Sequence, residues 1–332
     1  MSVADLPESL EKDNLRSAPS KDVIVRVRDL VHRYGDREAL AGLDLQANRG
    51  EIVALLGPNG SGKTTLFRLL STMIPVQYGS IEINGLRADE GLEAVRRSLG
   101  IVFQSPSLDK KLTVWENLKC QAALYGLRGK VAESKMTQRL EQLGLSDRRN
   151  DSCESLSGGL RRRVELAKGL LHEPSVLLLD EPSTGLDPSA RLDFWAAIQQ
   201  MADDGVAVLM TTHLIEEASK ADRVVLMDQG RKVADDSPVR LCDAIGRDVL
   251  VARCKDPSAA AEVAESMGLE ARIMVDQIRI EIEAGDDRLG SLLSKIRPLA
   301  DSMSWGPPSL EDVFIERTGH AYELIFDEEP VQ

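Results

Sequence analysis

Residues 57–64, Gly57-Pro58-Asn59-Gly60-Ser61-Gly62-Lys63-Thr64, fit the pattern G-x-x-x-x-G-K-S/T at every position. Glycine has no Cβ and tolerates positive φ, so Gly57, Gly60 and Gly62 let the backbone wrap an anion closely. The loop N–H groups then point inward as a nest. Lys63 adds a point charge that reaches β- and γ-phosphates, and the Thr64 hydroxyl is a ligand for Mg²⁺. Two carboxylates, Asp180-Glu181, end the most apolar run of the chain, and His213 stands at the end of another. Ser157-Gly158-Gly159 opens a helix-forming run, where spare N–H groups are available. These residue types point to binding of a polyphosphate with Mg²⁺.

The elements that must position them are legible. Residues 52–56, Ile-Val-Ala-Leu-Leu, read as a strand buried on both faces, and Thr65 onward has helical spacing. Strand, glycine loop and helix form the context the motif requires. Two strands, near 23–30 and 40–45, precede it, with a turn over 31–36 between them. An edge strand is predicted at 79–85 and buried strands at 99–104, 175–180, 206–210 and 223–228. Residues 112–145 are mainly helical, as are 189–202. The pattern changes near Gly246. Strand, helix, strand, strand, helix, strand then suggest a small α+β unit of ferredoxin-like order, closed by a helix over 309–318 and Gly319.

At 332 residues the chain has room for two domains. The predicted organisation is a loose tail over 1–21, a nucleotide-binding domain over 22–245 with a helical insert at about 105–160, an accessory α+β domain over 246–320, and a tail over 321–332. A formal net charge of −13 argues against general nucleic-acid binding. No stretch approaches the roughly 18 apolar residues of a membrane span, and the N-terminus lacks a secretory layout. Cys120, Cys153, Cys242 and Cys254 have no CxxC spacing and read as cytosolic thiols.

LLGPNGSGKTTL, FQSPSL, LSGGLRRRVELAKGLL, VLLLDEPSTGLDP and TTHLIEEA occur in that order. Over about 25–240 the chain therefore resembles the ATP-binding subunit of an ABC transporter. SLEDVFIERTG at 309–319 is similar to the end of drug- and polysaccharide-exporter ATPases, including the daunorubicin-resistance group. The resemblance implies an α/β P-loop NTPase core of RecA-like type with an antiparallel β flank. It implies ATP and Mg²⁺ as ligands, with Pro58, Asn59, Ser61 and Thr65 completing the phosphate loop. Asp180 becomes the Walker B carboxylate in the Mg²⁺ shell, alongside Thr64 and Gln104. Glu181 becomes the base or polariser for the attacking water, His213 the γ-phosphate contact, and Tyr34 the ring that stacks on adenine. Ser157, Gly158 and Gly159 would hold the γ-phosphate of an opposing subunit, with Asp187 across that interface. Read without the resemblance, neither a lone histidine nor an amide at a strand end singles out a role.

One cassette per chain implies a dimer, most simply a homodimer, and the resemblance implies separate permease subunits on the inner face of the cell membrane. Leu108, Leu112 and Trp115 either line the permease dock or pack the core. The family commonly has Gln where Leu160 stands, so the backbone donors remain while one amide is lost. Arg161-Arg162-Arg163 read as a solvated or interfacial face rather than a nucleic-acid patch. His32, His172 and His320 read as structural. The alternative reading is a soluble ATPase of the same superfamily acting on ribosomes or DNA. Ribosomal members usually carry two cassettes, and DNA-repair members a long coiled coil that 112–155 is too short to supply.

Overall fold

The computed structural model describes residues 22–283, 285–320 and 322. The tail expected over 1–21 lies outside these residues, as does that over 321–332 except for Tyr322. The chain opens with β1 (Val23–Tyr34) and β2 (Arg37–Asn48), then β3 (Ile52–Leu56), the phosphate loop and α1 (Lys63–Leu70). β4 (Tyr78–Ile83), β5 (Leu86–Arg87) and α2 (Leu92–Ser98) lead to β6 (Leu99–Val102). The insert is α3 (Val114–Leu124) and α4 (Gly129–Gln142), after which α5 (Gly158–Leu170) returns to β7 (Val176–Asp180). α6 (Pro188–Asp203), β8 (Ala207–Thr212), α7 (Ile215–Ala218), β9 (Arg223–Asp228), β10 (Arg231–Asp236) and α8 (Pro238–Asp243) follow. The last part is β11 (Asp248–Cys254), α9 (Pro257–Ser266), β12 (Ala271–Met274), β13 (Gln277–Ile282), α10 (Arg288–Ile296), β14 (Ala300–Gly306) and α11 (Leu310–Thr318).

A six-stranded sheet of order β10-β9-β3-β8-β7-β6 forms the centre. Its strands are parallel except β10, which pairs antiparallel with β9. Every residue of β3 and β8 is buried, because layers cover both faces of a parallel sheet. An antiparallel sheet of order β2-β1-β4-β5 lies to one side. Between the two sits α1, whose Leu66, Phe67, Leu69 and Leu70 share one apolar cluster with Val53, Leu55, Leu40 and Ile81. The helical insert packs on the opposite face of the central sheet, through Leu118, Met136 and Leu140. The fold is thus an α/β P-loop core with an antiparallel flank, as the residue pattern implied.

β11 to β14 make a separate antiparallel sheet of order β12-β13-β11-β14, the ferredoxin-like arrangement, with α9 and α10 sharing its apolar cluster. Helix α11 follows this sheet in sequence and bridges it to the nucleotide-binding part: Asp312 pairs with Arg279 of β13 and Ile315 meets Met274 of β12. Leu310, Val313 and Phe314 belong to the cluster under the central sheet.

Several details differ from the sequence reading. β1 runs on to Tyr34, so the 31–36 stretch is mostly strand, with the turn confined to Gly35-Asp36. β10 was not foreseen, because RKVADD carries no apolar alternation and pairs at a sheet edge. Short α2 and α8 also escaped notice, each burying one residue. β14 extends over seven residues although its exposed serines and aspartate carry no period-2 signal.

Candidate active site

The phosphate loop is set by packing as well as by ligand chemistry. A Cβ on Gly57 would lie 2.3 Å from the Met227 carbonyl oxygen and 2.7 Å from Ser61 Oγ. Gly62 has φ 103°, and a Cβ there would lie 2.7 Å from the Ala39 carbonyl. Only glycine meets both demands. Lys63 is buried, and its Nζ donates to the carbonyls of Gly57 (2.5 Å) and Pro58 (2.9 Å). Burial pulls the Lys63 ammonium down to about 8, against the opposing pull of the Glu181 and Asp180 carboxylates. A groove of about 400 Å³ is lined by Tyr34, Asn59, Gly60, Lys63, Thr64, Thr65 and Glu181, among others. Ser61 Oγ, buried inside the same loop, has no hydrogen-bond partner among the described residues.

The carboxylates follow from the end of β7. Thr211 Oγ1, from the adjacent β8, donates to Asp180 Oδ1 at 2.6 Å. Burial raises the Asp180 carboxyl above its ordinary value, and Thr211 opposes the rise. Glu181 stands at φ 41°, a left-handed conformation that non-glycine residues rarely adopt. Its N–H donates to the Thr211 carbonyl at 3.1 Å, which holds it there. Gln104 Nε2 (3.1 Å) and Thr184 Oγ1 (3.4 Å) donate to Glu181 Oε2, and His213 Nδ1 lies 3.3 Å from Oε1. The His213 hydrogen bond holds Glu181 below the usual carboxylate range, and the same bond raises His213. Gln104, Glu181 and His213, from three strand ends, thus meet at one carboxylate.

Arg162 corrects the reading of the basic triplet. It is 7% exposed, not solvated. Its guanidinium donates to the carbonyls of Pro182 (2.7 Å), Phe103 (2.6 Å) and Asp180 (3.2 Å), and to Glu165 Oε2 (2.7 Å). One fork therefore joins α5 to the ends of β6 and β7. Glu165 and Lys168, one and two turns further on, hold Ser107 of the Gln104 loop through its N–H (2.6 Å) and carbonyl (2.8 Å). The signal was available, because 162, 165, 166 and 169 fall on one helical face with Leu166 and Gly169. Arg163 behaves as predicted for a surface residue and pairs with Asp193. Thr211 was also missed; only the sheet order brings it beside Asp180.

The remaining candidates lie apart from the groove. Ser157 caps α5 by accepting from the Leu160 N–H (3.3 Å), and Asp187 caps α6 by accepting from the Ala190 N–H (2.9 Å). Ser157, Gly158 and Asp187 are exposed. Gly159 is buried, and a Cβ there would lie 2.6 Å from Ala190 Cβ, so this glycine lets α5 and α6 meet. Leu160 packs against the core below. Tyr34 is 45% exposed at the groove edge, with the His32 ring set edge-on at 4.7 Å. Leu108 is a core residue, and Trp115 lies half-buried under the Arg149 guanidinium, 3.9 Å from its ring centre. For these two the packing reading holds. His172 stacks on Tyr125, and His320 Nε2 lies 3.2 Å from Asp228 Oδ2.

A hydroxyl, an amide and one carboxylate (Thr64, Gln104 and Asp180) suit a hard cation that keeps waters and substrate phosphates in its shell. Among the described residues no group of three or more His, Cys, Asp or Glu side chains could hold a metal by itself.

A family model described as ABC transporter matches residues 40–184. The daunorubicin resistance ATP-binding protein DrrA2 of Streptomyces coeruleorubidus is 37% identical, covering 90% of this chain and 96% of that protein. The Nod factor export ATP-binding protein I of Cupriavidus pinatubonensis is 38% identical over 70% of this chain and 72% of its own length. Among solved structures, cbiO1 from Clostridium perfringens, part of the ABC transporter complex cbiONQ, aligns with a TM-score of 0.63 at 30% identity. That alignment covers 67% of this chain and 91% of that one.

Proposed function

The chain belongs to the ABC transporter ATP-binding family, and from that premise we propose that it hydrolyses MgATP at Glu181 to drive export through separate permease subunits. Its relatives are ATPases that power transport, and this chain is such an ATPase. The observation that carries the proposed mechanism is the strained Glu181 carboxylate, ionised and steered by Gln104 and His213 beside the Lys63 groove.

In this reading the phosphate-loop N–H groups and Lys63 bind the triphosphate, and Tyr34 stacks on adenine. Thr64, Gln104 and Asp180 would hold Mg²⁺, which offsets phosphate charge when bound. Glu181 orients a water in line with the γ-phosphorus and accepts its proton as the new P–O bond forms. The bond from the γ-phosphorus to the bridging oxygen breaks, and ADP keeps that oxygen. His213 holds Glu181 and contacts the γ-phosphate. Ser157, Gly158 and Gly159 do not line the chain's own groove. That separation supports a head-to-tail pair in which each chain offers the N-terminus of α5 to its partner's nucleotide, with Asp187 alongside.

The relatives' printed functions, daunorubicin resistance and Nod factor export, support export as the direction. No helix among the described residues is long and apolar enough to cross a membrane. In this reading a permease holds the chain on the cytoplasmic face of the membrane. Purified chain should hydrolyse ATP with Mg²⁺, and Glu181→Gln should lower kcat at least about a hundredfold while nucleotide binding persists. Normal turnover in Glu181→Gln would remove that residue from its role.

A further inference from the structure

The last described residue reaches the site from the far end of the chain. Tyr322 is 3% exposed, although its neighbours in sequence were expected to form a tail. Its hydroxyl donates to the His213 carbonyl oxygen at 3.0 Å. The ring packs edge-on against Phe314 of α11, with centroids 5.0 Å apart.

The approach to this position is fixed step by step. Asp312 in the first turn of α11 closes a capping box with Ser309 and makes a buried ion pair with Arg279 of β13. Phe314 is wholly buried under the central sheet. Gly319 turns the chain at φ 78°, and His320 meets Asp228 at the end of β9. A buried phenol needs a hydrogen-bond partner, and this one finds it in the His213 carbonyl, beside the groove.

Side-chain bonds also brace the His213 loop. Thr212 Oγ1 donates to buried Glu217 at 2.7 Å and accepts from the Leu214 N–H at 3.0 Å. Those bonds fix the residues on either side, and Tyr322 fixes the carbonyl of His213 itself. The geometry points to Tyr322 as a positioning residue for hydrolysis: its hydroxyl, fixed by the ring's packing on Phe314, holds the His213 backbone, so that the imidazole stays on Glu181. A displacement of about 1 Å in a catalytic constellation costs about a hundredfold in rate, so one backbone tether matters here.

The inference rests on the hydrolytic reading above, and the test separates the two. Full-length wild-type chain, Tyr322→Phe and Glu181→Gln are compared for ATP hydrolysis and melting temperature. Tyr322→Phe keeps the ring on Phe314 and removes only the hydroxyl. Its kcat should fall by about three- to tenfold, the worth of one net hydrogen bond, with KM for ATP at the wild-type value and the chain still folded at the assay temperature. An unchanged kcat overturns the inference. A fall accompanied by a higher KM also overturns it, since the contact is then merely structural. Should the wild-type chain, or Glu181→Gln, contradict the hydrolytic reading, that reading fails first and takes this one with it.

Discussion

Glu181 carries both the strain and the charge of the site. It is held at positive φ while three side chains converge on its carboxylate. Its partner His213 is raised above the ordinary 6.5, and Glu181 is lowered below 4.5, by their shared hydrogen bond. The sign for His213 follows directly: the bond's full contribution is present below pH 6.5 and is lost as pH rises through the raised value. For Glu181 the contribution is present above pH 4.5 and is lost as pH falls through its lowered value. The pair is therefore strongest between those limits. His213 should titrate above 6.5 by NMR in the wild-type chain, and Glu181→Gln should bring it back down. An imidazole that titrates identically in both would mean that the contact is absent in solution.

At the scale of elements, α5 organises the chemistry from behind the groove, through backbone carbonyls on either side of Glu181. Its Arg162 fork ties β6 to β7, and its Glu165 and Lys168 hold the Gln104 loop. Its first turn presents Ser157 and Gly158 outward. In the proposed head-to-tail pair, a neighbouring chain's nucleotide at that turn would be linked through this helix to Gln104 and Asp180. Arg162→Met leaves Glu165 buried without its countercharge, which costs about 3 kcal/mol. Urea denaturation should register that loss, and turnover should fall with it. A variant of wild-type stability would show that the Arg162–Glu165 pair is dispensable. The basic triplet appeared solvated in the sequence because three adjacent arginines look alike. The helix face that separates them becomes visible only once residues 165, 166 and 169 are counted with 162.

For the whole molecule, the division of the site decides the prediction. Lys63, Glu181 and His213 belong to one cluster of strand ends, whereas Ser157 and Asp187 lie at exposed helix N-termini. Glu181→Gln with MgATP should therefore elute as a dimer, and the nucleotide-free chain as a monomer. Monomer under both conditions would contradict the composite site. Chain expressed in its own host should also co-purify with a multispanning membrane protein. Ribosomes or DNA-repair factors in its place would leave the ATPase standing and overturn the transport assignment.

The sequence by itself determined the phosphate loop, the parallel core around β3, the acidic pair and the ferredoxin-like order of the last sheet. Each is written locally, as a motif of fixed spacing or an apolar period. Tertiary structure decided what depends on residues distant in the chain. Thr211 meets Asp180 because β8 lies beside β7, Arg162 turns inward because α5 covers two strand ends, and Tyr322 reaches His213 because α11 bridges the last sheet to the cluster beneath the central one. Hydrogen bonds spanning such distances leave no periodicity in sequence, since only the packed sheet order sets which residues become neighbours.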